Sequence, residues 1–326
     1  MTIKYNNVYV KDAYTIASIY EKNGPLKNYF DKIYDKDLYY GEKTVERAET
    51  RLLKDTIQEL LLKEKDIDLI ISGDLQNQIS SSNYAIKDIS IPYLGIFSAC
   101  ATFGEGIAIA SSFLEKEKIH NIIVSTSSHN LVAEKQFRNP IEYGAPKKKT
   151  ATFTSTGAAG IILTNKKTSI KVTSTTIGII NDANVKDPNN MGAVMAIAAA
   201  DTIERHLKDL NLKPDYYDLI LTGDLGIYGK NILIDYLKLK NIDIKKNYND
   251  AGLLLYDIKK QPVYAGASGP ACSALVTCSY ILKKMQSKEL KRVLIVPTGA
   301  IFSPTRVFQK ETIPSIAHAF SLEVIK

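Results

Sequence analysis

Apolar positions recur at helical spacing over residues 45–63. Val45, Ala48, Leu52, Ile57, Leu60 and Leu61 form one stripe, and Thr44 precedes it as a candidate N-cap. A continuous apolar run follows, Asp68-Leu69-Ile70-Ile71-Ser72-Gly73-Asp74-Leu75, which reads as a short buried strand ending in a polar turn. Residues 91–98 read as another buried strand, residues 101–116 as a helix and residues 122–126 as a further buried strand. This alternation predicts a mainly parallel sheet covered by helices on both faces.

The pattern repeats. Asp68 to Leu75 reappears 150 residues on as Asp218-Leu219-Ile220-Leu221-Thr222-Gly223-Asp224-Leu225, with six of eight positions identical. Ile122-Ile123-Val124-Ser125-Thr126 returns as Leu294-Ile295-Val296-Pro297-Thr298, now 172 residues on. The growing offset implies an insertion of 22 residues in the second half. Each copy follows a helix, so a whole α/β unit is duplicated. Residues 166–169 are a polar stretch between two apolar runs. They divide the chain into halves, residues 1–167 and 168–326.

Composition narrows the class. A chain of 326 residues with 45% hydrophobic and 24% charged residues can bury a large core without staples. Three cysteines with no C-x-x-C pair exclude a disulfide scaffold and a zinc ribbon. The most apolar stretch, residues 193–200, falls far short of the ~18 residues a spanning helix needs. No signal peptide opens the chain, so folding in a reducing cytoplasm is expected. The net charge of +7 is spread thinly, and Lys147-Lys148-Lys149 is its tightest cluster. That cluster suits a solvated loop or an anion-facing patch, and no basic stripe interleaved with aromatics points to nucleic acid.

Candidate chemistry clusters where strands end. Cys100 lies where a strand passes into a helix, where the dipole and free amides favour a thiolate. It reads either as a nucleophile or as a small side chain packed at a strand end. Residues 125–144 form a strand end and a long polar connection carrying Ser127, Ser128, His129, Lys135, Phe137, Arg138 and Tyr143. Loops at strand carboxyl ends are where open α/β sheets place ligands. Taken together, His129, Lys135 and Arg138 make a donor-rich anion site. Taken singly, the first reads as structural and the other two as solvated. Gly266-Ala267-Ser268-Gly269-Pro270-Ala271-Cys272 is a glycine-punctuated turn before a helix. Its amides could cradle a carboxylate, or it is simply a tight turn. Nucleotide, zinc-protease and EF-hand motifs are absent, so no cofactor and no metal site is expected.

A duplicated α/β unit with Cys100 at a strand-to-helix turn resembles the thiolase superfamily of thiolases and ketoacyl synthases. The resemblance implies a thiolase-like five-layered αβαβα fold of two similar halves, and a homodimer. In such folds a strand near the nucleophile pairs across a two-fold axis, and residues 122–126 are the candidate. Longer segments narrow the match. Residues 73–78, 126–130, 133–144, 187–192, 218–225, 299–305 and 309–318 are similar, in order, to the stage V sporulation protein AD family.

That family implies the soluble, ligand-binding member of a membrane-associated system. The system moves dipicolinic acid with calcium into the developing spore and acts again in germination. The implied partners are dipicolinic acid, free or as its calcium chelate, and other stage V sporulation protein A membrane components. The implied location is peripheral, at the forespore or spore inner membrane. A condensing enzyme needs a second-half His and an Asn beside its Cys. Here the ketoacyl synthase III pattern meets Thr222-Gly223-Asp224-Leu225 and Gly266-Ala267-Ser268-Gly269, with neither residue. His206 sits in a predicted helix and His318 lies past the last motif. A binding protein without catalytic residues is therefore expected. The alternatives are an acyl-CoA thiolase or ketoacyl synthase using Cys100, and a structural adaptor with no small ligand. For a flat aromatic dianion the candidate donors are Arg138, Lys135, Ser127, Ser128, His129, and the segment Gly266, Ser268, Gly269 with the Cys100 amide. Phe103, Phe137 or Tyr143 would cover the ring.

Overall fold

The computed structural model describes residues 1–116 and 118–325. The principal elements of the first half are β1 (Tyr9–Ala17), α1 (Val45–Lys63), β2 (Leu69–Gly73), α2 (Ser80–Ile86), β3 (Tyr93–Gly95), α3 (Thr102–Leu114), β4 (Asn121–Ser128), α4 (Asn130–Phe137) and β5 (Gly157–Thr164). Those of the second are β6 (Ile170–Thr176), α5 (Met191–Leu210), β7 (Leu219–Thr222), α6 (Gly226–Leu239), β8 (Tyr248–Asp250), α7 (Pro270–Val276), β9 (Arg292–Val296), β10 (Thr298–Ala300), α8 (Pro304–Phe308) and β11 (Ala319–Val324). Helix α1 begins where the pattern places it. The Thr44 hydroxyl accepts the Arg47 N–H at 3.3 Å, and Ala48, Leu52, Ile57 and Leu60 are buried.

All of these strands but β10 form one path, β8-β7-β9-β11-β6-β1-β5-β4-β2-β3, and β10 belongs to a separate small sheet. It is mixed rather than mainly parallel. The pairs β2–β3, β2–β4, β7–β8 and β7–β9 are parallel, and the inner strands run antiparallel. Alternation of strand and helix holds only for the outer strands of each half. Strands β5 and β6 follow one another through residues 165–169 with no helix between them. The short pairing of Tyr9 and Val10 with Lys171 and Ile170 joins the two halves.

Three apolar cores separate five layers. The largest lies between the half-sheets and holds α3 and α7, one from each half. A second packs α1 on the outer face of the first half-sheet, and a third packs α5 and α6 on the second. Helix α3 is buried along most of its length because sheet covers it on both sides. Phe103 belongs to this central core. It is fully buried edge-on to Phe320 and covers no ligand ring.

The repeat has a physical reason. Asp68 accepts the N–H groups of His120 and Asn121 at 2.7 and 3.0 Å, pinning the start of β4. Asp218 does the same for Lys291 and Arg292 at 2.7 and 2.9 Å, pinning the start of β9. Two expectations fail at the sheet edge. The run 91–98 gives only the three-residue β3, with Leu94 and Gly95 exposed. Residues 122–126 lie in β4, which pairs with β2 on one side and β5 on the other. That strand has no free edge to offer a second copy, whereas β3 does.

Candidate functional site

Strand ends from both halves converge on Cys100. The chain turns sharply there. Ala99 adopts φ +50°, a left-handed conformation unusual for a residue with a Cβ. Thr102 locks the turn, its hydroxyl accepting the Ser98 N–H at 3.1 Å and donating to the Ala99 carbonyl at 2.6 Å. Strand β10 presses against it at Gly299, where a Cβ would stand 2.2 Å from the Ser98 carbonyl oxygen. Only glycine admits that approach.

A half-open pocket, with about 510 Å³ of empty space when its mouth is included, lies beside the thiol. Phe97, Phe137, Phe302, Met191 and Met195 give it apolar walls, and Arg138, Thr152, Thr154 and Ser268 supply polar groups. The Arg138 Nη1 donates to Glu134 at 2.9 Å, and Lys147 bridges the same carboxylate at 3.2 Å. Its Nη2 reaches the Pro188 carbonyl at 3.4 Å. Its Nε and the Thr152 hydroxyl are buried without a partner. Such unpaired donors are costly unless something polar meets them.

The other candidates divide. Cys100, Phe137, Arg138 and Ser268 line the pocket, as placed from the sequence. The Gly269 amide faces the Cys100 thiol, and at φ +102° any Cβ there would crowd the Ser128 hydroxyl at 2.8 Å. Gly266 shapes the turn and gives its carbonyl to the Phe153 N–H at 2.8 Å. The rest point elsewhere. Ser127 donates to Glu49 at 3.1 Å and Ser128 to the Ser155 carbonyl at 2.8 Å. His129 caps α4, with Nδ1 accepting the Leu131 N–H and Nε2–H donating to the Leu38 carbonyl. The first part of the polar connection, Asn130–Phe137, is thus a helix, and both nitrogens of its histidine are occupied. Lys135 is mostly exposed and pairs with Glu46 at 2.6 Å. Tyr143 is 74% exposed, too far out to cover a ring in the pocket.

The position most altered between the two copies of the repeat is the aspartate. Asp74 accepts three donors, the Gln76 N–H at 2.8 Å, the Ser82 N–H at 2.8 Å and the Ser82 hydroxyl at 2.7 Å. Asp224 is fully buried at φ +85°, and neither carboxyl oxygen makes a well-aligned hydrogen bond, though the Thr298 and Gly269 amides and the Cys272 thiol surround it. It lies close to Cys100 and Cys272. Burial first, then Asp250, push its carboxyl well above the usual range. Burial likewise pushes the Cys100 thiol up, Asp224 adds to this, and the Gly269 amide and Arg138 only partly oppose it. The expected thiolate is therefore not favoured, because desolvation outweighs the helix terminus. Iodoacetamide should alkylate Cys100 with a rate that keeps rising past about pH 9, beyond an ordinary thiol. Asp224→Asn should move that rise to lower pH. Mass spectrometry across a pH series checks both, and a plateau below pH 8 would mark a working nucleophile.

His318 reaches the Cys100 turn, its Nε2 lying 3.4 Å from the Ser98 hydroxyl. Its Nδ1 accepts the Gly178 N–H at 3.4 Å, so Nε2 carries the ring proton and has no free lone pair. Burial lowers it to about 4. His206 is held between Thr176 and Tyr217 at 2.7 and 2.6 Å. Sequence reasoning missed Thr152, Phe97 and Phe302 as pocket residues. For Asp224 the signal was present, since the repeat marks its position twice.

A duplicated α/β chain with a cysteine turn between its halves defines a thiolase-like protein. Solved structures agree. A variant of OleA from Xanthomonas campestris superposes with a TM-score of 0.62 at 14% identity, over 98% of this chain and 97% of that one. The 3-oxoacyl-[acyl-carrier-protein] synthase III from Aquifex aeolicus gives 0.53 at 15% identity, over 99% and 98%. Residues 1–323 match the family described as Stage V sporulation protein AD (SpoVAD), to which this chain belongs. Stage V sporulation protein AD of Bacillus subtilis (strain 168) is 45% identical over 320 residues, 97% of this chain and 94% of that protein. Membership assigns the chain to sporulation. No helix among the described residues is long and apolar enough to cross a membrane.

Proposed function

We propose that this chain is a non-catalytic dipicolinate-binding protein of the spore's dipicolinate and calcium transport system, acting in sporulation and germination. The observation that carries the reading is the pocket beside Cys100. Phenylalanine walls suit a flat ring, and the unpartnered Arg138 Nε and Thr152 hydroxyl suit a carboxylate. Asp224 in place of a base argues against condensation, since a nucleophile without its partners loses most of its rate. The chain works peripherally at the forespore or spore inner membrane, with other stage V sporulation protein A components. Titration calorimetry with dipicolinate, with and without calcium, tests the ligand. The retained Cys100 turn favours a second reading, an acyl-CoA thiolase or ketoacyl synthase. After incubation with acetyl-CoA, a mass gain of one acetyl group on Cys100 would support that reading and sink ours.

The active form is a homodimer in this proposal, paired through β3. Leu94 and Phe97 are exposed beside that free edge, and Phe97 also lines the pocket. Light scattering at micromolar concentration should give the dimer mass, and Leu94→Glu should lower it to the monomer. A monomer in the unmutated protein removes the claim.

A further inference from the structure

Outside the pocket a second, larger hollow of about 1330 Å³ continues from it, sharing Phe137, Arg138 and Phe302. Two segments form its outer rim. One is the short turn Ile141–Tyr143 with the lysines that follow it, and the other is α8. Both carry large apolar side chains in water: Ile141 is 45% exposed, Tyr143 74% and Phe308 80%. Exposed leucines elsewhere, such as Leu62 and Leu239, stand singly on helices and need no explanation. Ile141 and Phe308 flank one opening, and Tyr143 stands two residues from Ile141 on the same turn.

Charge accompanies them. Residues 139–149 carry three lysines against Glu142, and residues 303–312 carry Arg306 and Lys310 against Glu311. Lys147 and Lys148 are bound to Glu134 and Asp187. Lys149, Arg306 and Lys310 have no carboxylate within salt-bridge distance among the described residues, and all three are exposed. Apolar tips with free cations a few residues behind them match a bilayer surface. The tips enter the acyl boundary, the tyrosine hydroxyl stays at head-group level, and the cations meet anionic lipid.

We propose that the Ile141–Tyr143 turn and the end of α8 form a lipid-docking face for an anionic bilayer, holding the pocket mouth against the membrane. The proposal deepens the peripheral placement above and names the partner as lipid itself. Its readout does not involve dipicolinate, so it fails separately from the ligand reading.

The chain contains no tryptophan, so Phe308→Trp supplies a unique reporter. With vesicles of phosphatidylglycerol and phosphatidylcholine, its emission should shift to the blue, and the protein should float with the vesicles at low salt. Pure phosphatidylcholine should bind at least tenfold less. Tyr143→Ser with Phe308→Ser, and separately Lys149→Glu with Lys310→Glu, should each cut binding tenfold or more. Unchanged circular dichroism and thermal midpoint confirm that the variants fold. Absence of binding to anionic vesicles, or equal binding by the folded variants, overturns the proposal. Docking only to a membrane protein in otherwise neutral vesicles overturns it as well.

Discussion

Arg138→Ala should weaken dipicolinate binding about thirtyfold or more, while Cys100→Ala stays within about tenfold. A carboxylate that loses a charge-assisted donor in a partly dry pocket loses on the order of 2 kcal/mol, or roughly thirtyfold in affinity. Arg138 is suited to that role. Glu134 and the Pro188 carbonyl fix its guanidinium and leave Nε free. The Cys100 thiol is neutral and weakly polar, so its removal mainly changes packing. Lys135→Ala should cost less than either, because that ammonium sits in water against Glu46. Added salt should weaken binding only modestly if the pocket is enclosed. Calorimetry on the three variants checks the order. Loss of binding in Cys100→Ala with none in Arg138→Ala would place the ligand on the wrong donors.

The largest effect on stability is expected at Asp250. Its buried carboxylate accepts the Thr222 hydroxyl at 2.7 Å and the N–H groups of Leu225, Gly226 and Gly252 at 3.1, 3.0 and 3.1 Å. These bonds hold the turn after β7, which carries Asp224 toward Cys100. Asp250→Ala strands four donors at a site with no solvent access, a loss on the order of 4 kcal/mol. A thermal scan should show the midpoint falling by several degrees. Asp250→Asn should fall less, since its amide oxygen still accepts. Burial raises the Asp250 carboxyl from 3.8 to about 6. The fold therefore favours the neutral form. That contribution is complete below about pH 3.8 and lost as pH rises through about 6. Asp250→Asn should flatten stability over that window, and an unchanged slope would mean other groups set it.

Much of this architecture was readable as spacing. Residues 45–63 announced their helix through period and cap, and the duplicated strands announced two related halves. Strand direction was not readable. Buried parallel and buried antiparallel strands both appear as continuous apolar runs, so β5 was indistinguishable from the strands beside it. The lining of the pocket was legible at Cys100, Arg138 and Ser268, where polar groups sit at strand ends. His129, Ser127 and Ser128 sit there too, and composition cannot tell a hydroxyl facing a pocket from one facing Glu49 or a backbone carbonyl. Thr152 and Phe97 gave no local signal, because only tertiary convergence makes them neighbours.

Asp74 and Asp224 stand at one position of a duplicated unit, yet they answer to different constraints. Asp74 is committed to Gln76 and Ser82, so any replacement must satisfy the same three donors. Asp224 has no such set of well-aligned donors, only the looser company of the Thr298 and Gly269 amides and the Cys272 thiol. Duplication thus leaves one chain with a copy anchored by folding and a copy open to change. In a family alignment the two columns should diverge in character. The first should admit little beyond aspartate and asparagine, while the second should vary together with Cys100 and Cys272 beside it. Broken internal symmetry becomes a map, and the place where two matching residues cease to behave alike is where the two halves have parted in their demands on the chain.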